Sequence, residues 1–158
     1  MMRSITAVLH TQNDALRLGR ALETLYPCDE ILIVDHESAD ATAHVAREYG
    51  ARILTQKRDA SPGDYLRLVQ AEWILCLDPR ESLTESLAAS LFEWKTEPVT
   101  GEAFSMFLRE ETVEGWIGNP VAQTRLVPKS WSQWDRGFPI HQPSAIALEG
   151  ELLHFVFP

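Results

Sequence analysis

Residues 30–42, EILIVDHESADAT, constrain the fold more than any other stretch of the chain. An apolar run, Ile31 to Val34, leads straight into Asp35, and Ser38, Asp40 and Thr42 follow before a helical pattern begins. This is the pattern of a strand that delivers polar side chains to the edge of a sheet. In open α/β sheets, ligands bind beyond the carboxyl ends of the strands, so Asp35 and the turn after it fall where such folds hold a nucleotide.

The neighbouring segments supply the rest of that sheet. Residues 4–10 form a β-rich run, and apolar residues at 15, 18, 22 and 25 give the spacing of an amphipathic helix over 14–25, with Thr11 and Asp14 as a capping pair. Ser38 is the expected N-cap of a helix over 39–49 that stops at Gly50, and 51–54 reads as a third strand. Two strand–helix–strand units in this span imply parallel pairing with right-handed crossovers. Ser61, Pro62 and Asp64 start a helix predicted over 62–70. Residues 72–77, centred on WILCL, are apolar without alternation, as expected of a parallel strand covered on both faces, and end at Asp78. Ser82 and Glu85 cap a helix running to Trp94, with Leu83, Leu87, Leu91 and Trp94 inward.

After Glu97 the texture changes. Residues 103–109 and 123–127 read as strands, and the intervening glycines and prolines exclude a helical period. The expectation is an α/β fold with a mainly parallel central sheet flanked by helices, and an irregular β-rich final third folded over one sheet edge as antiparallel ribbons. At 158 residues the chain suits one domain, 1–158, with a first half over 1–97 and a second over 98–158.

The formal charge of −9 and pI near 5.0 argue against nucleic acid as a partner, since phosphate neutralisation needs a basic stripe. No apolar run approaches the roughly 20 residues that cross a bilayer, and the opening MMRSITAVLH turns polar too quickly for a signal peptide. A cytoplasmic location is expected. Cys28 and Cys76 lie beside strand-like runs without CxxC spacing, and are read as reduced packing residues.

Three stretches together, ITAVLHTQNDALRLGRALETL, DEILIVDHESADATAHVAREYGARI and AEWILCLDPRESLT, resemble the family 2 glycosyltransferases of the GT-A (nucleotide-diphospho-sugar transferase, Rossmann-like) fold. That family ends one strand in a turn bearing an asparagine, a second in an aspartate followed by a Ser-x-Asp-x-Thr turn, and a later apolar strand in Asp-x-Asp. The segments TRLVPKSW, GFPIHQP and LLHFVFP look like the corresponding parts of the bacterial lipopolysaccharide-core glucosyltransferase branch. The resemblance implies that Thr11 and Asn13 line a nucleotide pocket, Asp35 contacts the uracil or other base, Ser38 and Asp40 shape the turn, and Asp78 faces the ribose and a metal. It also implies a UDP-sugar donor, a divalent metal (Mg or Mn), a glycan or lipid-linked acceptor, and a second half that serves the acceptor side. His154, and less directly His141, would help bind the diphosphate or metal.

The chain departs from that pattern at Asp78-Pro79-Arg80-Glu81, where Arg80 stands in place of the second aspartate. A guanidinium has only donors and cannot ligate a metal. Either Arg80 neutralises the diphosphate as a fixed cation, or Glu81 supplies a carboxylate to a displaced metal, or the site has lost its metal. Gln142 likewise replaces a glutamate usual in the family. Inverting transfer needs a base to take the acceptor's proton, and Glu110, Glu111 and Glu114, which follow the 103–109 strand, are the candidates, with Asp135 a further one. Trp116, Trp131 and Trp134 are read as packing residues or as platforms for a sugar face. The alternative to an enzyme is a non-catalytic GT-A relative that kept the fold after losing Asp-x-Asp.

Overall fold

In the computed structural model, which describes residues 2–58, 61–98 and 100–158, the alternation expected of the first half is present. β1 (Ile5–Thr11), α1 (Ala15–Glu23), β2 (Glu30–Asp35), α2 (Thr42–Glu48), β3 (Arg52–Thr55), α3 (Pro62–Leu66) and β4 (Trp73–Leu77) follow in order. Next come β5 (Glu81–Leu83), α4 (Glu85–Thr96), β6 (Phe104–Thr112), β7 (Gly115–Trp116), β8 (Val121–Pro128), β9 (Trp134–Asp135), β10 (Phe138–Pro139) and β11 (Ile146–His154). One sheet has the order β3-β2-β1-β4-β8-β6-β11-β5, with β7 paired to β6, while β9 and β10 form a separate two-stranded ribbon.

β1, β2, β3 and β4 pair in parallel. The final third differs from expectation. Rather than folding over an edge, β8 pairs antiparallel with β4 and carries the sheet onward through β6, and β11 lies parallel to β6. The reason lies in β8 itself: Leu126 and Val127 point to opposite faces and both are fully buried, which an edge ribbon would not achieve. The registry brings the carboxyl ends of β1, β2, β4, β6 and β11 and the start of β5 to one edge.

The two faces of the sheet are covered unequally. Ala7, Leu9, Ile33, Leu75, Leu77, Met106, Leu126 and Leu152 meet α1, α2 and α4 in the larger core cluster. Val8, Leu32, Val34, Ile74, Cys76 and Val127 face the other way, toward Tyr65 of the short α3 and Trp134 and Phe138 of the β9–β10 ribbon. Each large apolar side chain fully buried this way contributes about 1.5–3 kcal/mol. The thinner cover leaves room for a cleft on this second face.

Local signals were partly reassigned. α3 has the Ser61, Pro62, Asp64 start, with the Asp64 carboxylate accepting from the Ser61 N–H at 3.0 Å, but it ends at Leu66 in tight turns. Ser38 does not cap α2; its hydroxyl serves Asp35, and the Asp40 carboxylate accepts from Thr42 N at 3.0 Å instead. Thr11 and Asp14 are not a capping pair, because Thr11 turns its hydroxyl to Asp35. The cap of α4 is Thr84, which accepts from Leu87 N, while Ser82 lies within β5. Both cysteines are free thiols; burial pushes each up to about 12, so neither supplies a thiolate.

Candidate functional site

The turn after β2 is built around Asp35, which is 5% exposed. Its carboxylate accepts from Thr11 Oγ1 at 2.7 Å, Ser38 Oγ at 2.6 Å and Ser38 N at 3.0 Å. Asn13, whose φ of 55° is left-handed, accepts from Ala39 N at 2.8 Å and donates its own N–H to Ser38 Oγ at 2.9 Å. Asp40 accepts from Ala15 N at 3.2 Å and from the Thr42 hydroxyl, the main cause of its lowered pKa. Thr11, Asn13, Asp35, Ser38 and Asp40 therefore converge, but chiefly on one another: they tie the β1 and β2 turns into a rigid rim. The Asp35 carboxylate gives three of its acceptor sites to these donors, and Asp35 lines neither of the cavities described below.

Asp78 and Arg80 face the open side. Arg80 donates Nε–H to Asp78 Oδ1 at 2.9 Å and Nη2–H to Oδ2 at 3.2 Å, while its backbone N–H also reaches Oδ1. A fixed guanidinium thus sits on the aspartate. Behind it, Glu81 is 1% exposed and holds Asp78 N at 2.9 Å, Arg125 Nη2 at 3.0 Å and His154 Nδ1 at 3.0 Å. Burial raises the Glu81 pKa, but the His154 and Arg125 bonds and the Arg125 charge outweigh it and hold the carboxyl down at about 2.

These contacts bear on whether the residues present suit a metal. Asp78 already binds a bidentate cation, and the Glu81 oxygens are committed to Arg125 and His154. Among the described residues no group of three or more His, Cys, Asp or Glu side chains is placed to hold a metal. The metal role expected of Asp78 and Glu81 does not fit; His154 shares Nδ1 with Glu81, which leaves Nε2 open, but among the described residues it belongs to no group of three ligands placed around a metal.

Two adjoining cavities of about 350 and 270 Å³ open at the Asp78 edge and share His10, His36, Arg58 and Arg136. The larger adds Tyr65, Trp134 and Gly137; the smaller adds Thr11, Asp14, Arg17, Asp78 and Arg80. Burial raises the pKa of Asp14, and the charge of Asp78 adds to the effect. Four arginines face two carboxylates here, so an acidic protein carries a locally cationic cleft suited to an anion. Arg136 and Gly137, with φ of 51° and 83°, form the two-residue turn of the β9–β10 ribbon that closes one wall.

The expected bases stand elsewhere on the same edge. Glu110 is exposed at the end of β6, Glu111 accepts from Val156 N and Phe157 N at 3.2 Å, and Glu114 sits at the tip of the β6–β7 hairpin. None of the three, nor Asp135, lines either cavity. His141 meets Thr124 at 3.1 Å and Gln142 donates its N–H to the same hydroxyl, away from the cleft wall. Of the tryptophans only Trp134 reaches the cavities; Trp131 packs against the second core and Trp116 against Phe155. Sequence reasoning missed His10, His36, Arg58, Tyr65 and Arg136. His10 and His36 had a usable signal, since each comes two residues after Val8 or Val34 and so continues the same face, His10 within β1 and His36 just past β2.

The chain has the GT-A fold, and over about half of its length it is similar to proteins named glycosyltransferases. An uncharacterized glycosyltransferase of Rickettsia felis is 32% identical over 90 residues, covering 54% of this chain and 32% of that protein. One from Rickettsia prowazekii is 29% identical over 90 residues, covering 54% and 31%. The chain spans about a third of the length of these curated relatives. Among solved structures, Mycobacterium tuberculosis glucosyl-3-phosphoglycerate synthase in complex with Mn2+, UDP-glucose and phosphoglyceric acid matches with a TM-score of 0.54 and 18% identity, over 68% of this chain and 44% of that one. Staphylococcus aureus TarS matches with a TM-score of 0.56 and 16% identity, over 80% and 28%. No protein-family model matches the chain.

Proposed function

We propose that the protein binds a nucleotide-diphosphate sugar, a UDP-sugar foremost, in the arginine-lined cleft and transfers the sugar with inversion to a glycan or lipid-linked acceptor. On this reading it acts in the cytoplasm as a family 2 enzyme of cell-envelope polysaccharide synthesis, with 1–97 holding the donor and 98–158 serving the acceptor side. The observation that carries the reading is Arg80, fixed on Asp78 at the mouth of a cleft shared with Arg17, Arg58 and Arg136. The synthase that shares the fold was solved with UDP-glucose and Mn2+, and the same class of donor suits this cleft.

In the reaction, the acceptor oxygen forms a bond to the sugar's anomeric carbon as the bond to the diphosphate breaks. The acceptor's proton goes to a carboxylate, and the diphosphate departs with its charge opposed by the guanidinium groups. Among the three candidate bases, the carboxylates of Glu110 and Glu114 have no hydrogen-bond partner among the described residues, whereas Glu111 is occupied by the backbone of 156 and 157. That no three-ligand metal group occurs among the described residues and that none of these bases lines either cavity favour one second reading, a non-catalytic relative that retains the nucleotide cleft.

Calorimetric titration with UDP and UDP-glucose, with manganese or with EDTA, tests the assignment. Metal-independent binding that weakens in Arg80→Ala is expected. Silence toward UDP, GDP and their sugars under every condition would remove the donor site, and binding without turnover of any acceptor would select the non-catalytic reading.

A further inference from the structure

Three side chains on the thinly covered face form a hydrogen-bonded line into the cleft. Tyr65 Oη lies 3.3 Å from His10 Nε2, and His10 Nδ1 lies 3.0 Å from His36 Nε2, with the two imidazole planes 9° apart. Tyr65 is 2% exposed and His36 7%. His36 Nδ1 is buried without a hydrogen-bond partner among the described residues, although His36 lines both cavities. None of these groups belongs to the Asp78–Arg80 pair, and none takes part in the side-chain hydrogen bonds of the Asp35 carboxylate, although His36 is the next residue in the chain.

The proton positions follow from counting. If His10 carried its proton on Nε2, it would donate to Tyr65, leaving the tyrosine hydroxyl proton without an acceptor and His36 Nδ1 as a bare lone pair. If instead Tyr65 donates to His10 Nε2, then His10 Nδ1–H donates to His36 Nε2 and the proton of His36 resides on Nδ1. The second arrangement leaves one group unsatisfied where the first leaves two, and buried polar groups avoid being left unsatisfied. Burial, with His36 and Arg58 nearby, lowers the His10 pKa to about 4, so His10 is neutral at physiological pH.

We propose that His36 Nδ1–H is a ligand-binding donor, its proton placed there by Tyr65 and His10, and that it takes an acceptor oxygen of the nucleoside diphosphate. The inference rests on reading the cleft as a nucleotide site. At this strand end His36 lines both cavities, whereas Asp35 lines neither and already accepts three hydrogen bonds from Thr11 and Ser38. The oxygen belongs either to a base carbonyl or to a phosphate; an N–H donor flanked by Arg58 and Arg136 suits both.

Nitrogen-15 NMR of the histidine side chains in the full-length chain tests the first half directly. His36 is expected as the neutral Nδ1–H tautomer, shifting on addition of UDP; a neutral Nε2–H tautomer overturns the proposal without any mutant. Titration then uses UDP, uridine and pyrophosphate. His36→Ala should weaken UDP binding by about tenfold or more, and His36→Asn, whose amide nitrogen reaches close to Nδ1, should restore most of it. Tyr65→Phe should weaken binding less and move the His36 tautomer, which loss of packing alone would not do. A matching loss for uridine assigns the base carbonyl, and one for pyrophosphate assigns the phosphate. UDP binding that is equal in wild type and His36→Ala overturns this inference and leaves the nucleotide cleft standing; no binding of any of the three ligands to wild type overturns both.

Discussion

Glu81 shows how far one side chain's role depends on its partners. In sequence it is a spare carboxylate beside Arg80; in the fold it is the buried anchor of Arg125 and His154 and the acceptor for the Asp78 amide. Removing one member of a buried ion pair leaves the other charge uncompensated, so Glu81→Gln should cost about 3–5 kcal/mol in urea unfolding. The double change Glu81→Leu with Arg125→Met should cost less than the sum of the singles. The pH dependence follows from the direction of the shift. The Glu81 carboxyl sits at about 2 against an ordinary 4.5, so its stabilisation is complete above 4.5 and is lost as pH falls toward 2. His10 acts in a higher window: with a pKa of about 4 in the fold against 6.5, it resists protonation that the unfolded chain accepts. Stability should therefore fall between pH 6.5 and 4 by up to about 3 kcal/mol, and His10→Gln should flatten that limb of the profile.

Among the elements, the β9–β10 ribbon and the β11 bulge are set by glycines that tolerate little change. Gly137 has φ of 83°, and an added Cβ would lie 2.8 Å from His10 Nε2; Gly150 has φ of 101°, and its Cβ would lie 2.4 Å from the backbone nitrogen of Leu87. A left-handed φ costs a non-glycine residue about 1–2 kcal/mol. The imidazole can shift and the α4 backbone cannot, so Gly150→Ala should lower the urea midpoint more than Gly137→Ala, which should instead show itself in the cleft as weakened nucleotide binding. This contrast also explains what the sequence disclosed. β1, α1, β2, β4 and α4 were legible because Ile31 to Val34, WILCL and the 15, 18, 22, 25 spacing carry their period locally. The ribbon was not, because Arg136-Gly137 lacks the Asn-Gly or Asp-Gly signature of a tight hairpin. Nor was the junction of β4 with β8, which depends on Leu126 and Val127 finding buried places on opposite faces, a property of the assembled sheet. The Asp35 turn and Asp78–Arg80 were singled out from sequence as candidates, while His10 and His36 joined the candidate site only through the cavities that Tyr65 and the ribbon wall.

Across the whole molecule the sheet ignores the boundary that composition draws after Glu97. Trp73 of β4 packs edge-on against Trp94 of α4 with ring centroids 4.9 Å apart, and both meet Phe104 of β6, at 5.9 and 5.6 Å. β4 lies between β1 and β8, so a cut at 97 would strip one side of a fully buried strand of its backbone partners and expose Ile74 and Leu75. Unpaired backbone groups on an apolar edge are costly and promote association. We read the chain accordingly as one cooperative domain, 1–158. Residues 1–97 alone are expected to show no cooperative urea transition and poor dispersion of amide signals, and to recover both when mixed with 98–158. A sharp transition and a dispersed spectrum from 1–97 by itself would make that segment an independent unit. Because Trp134, Arg136 and Gly137 wall the cavity that His10 and His36 floor, even that outcome would leave the proposed nucleotide binding dependent on both fragments.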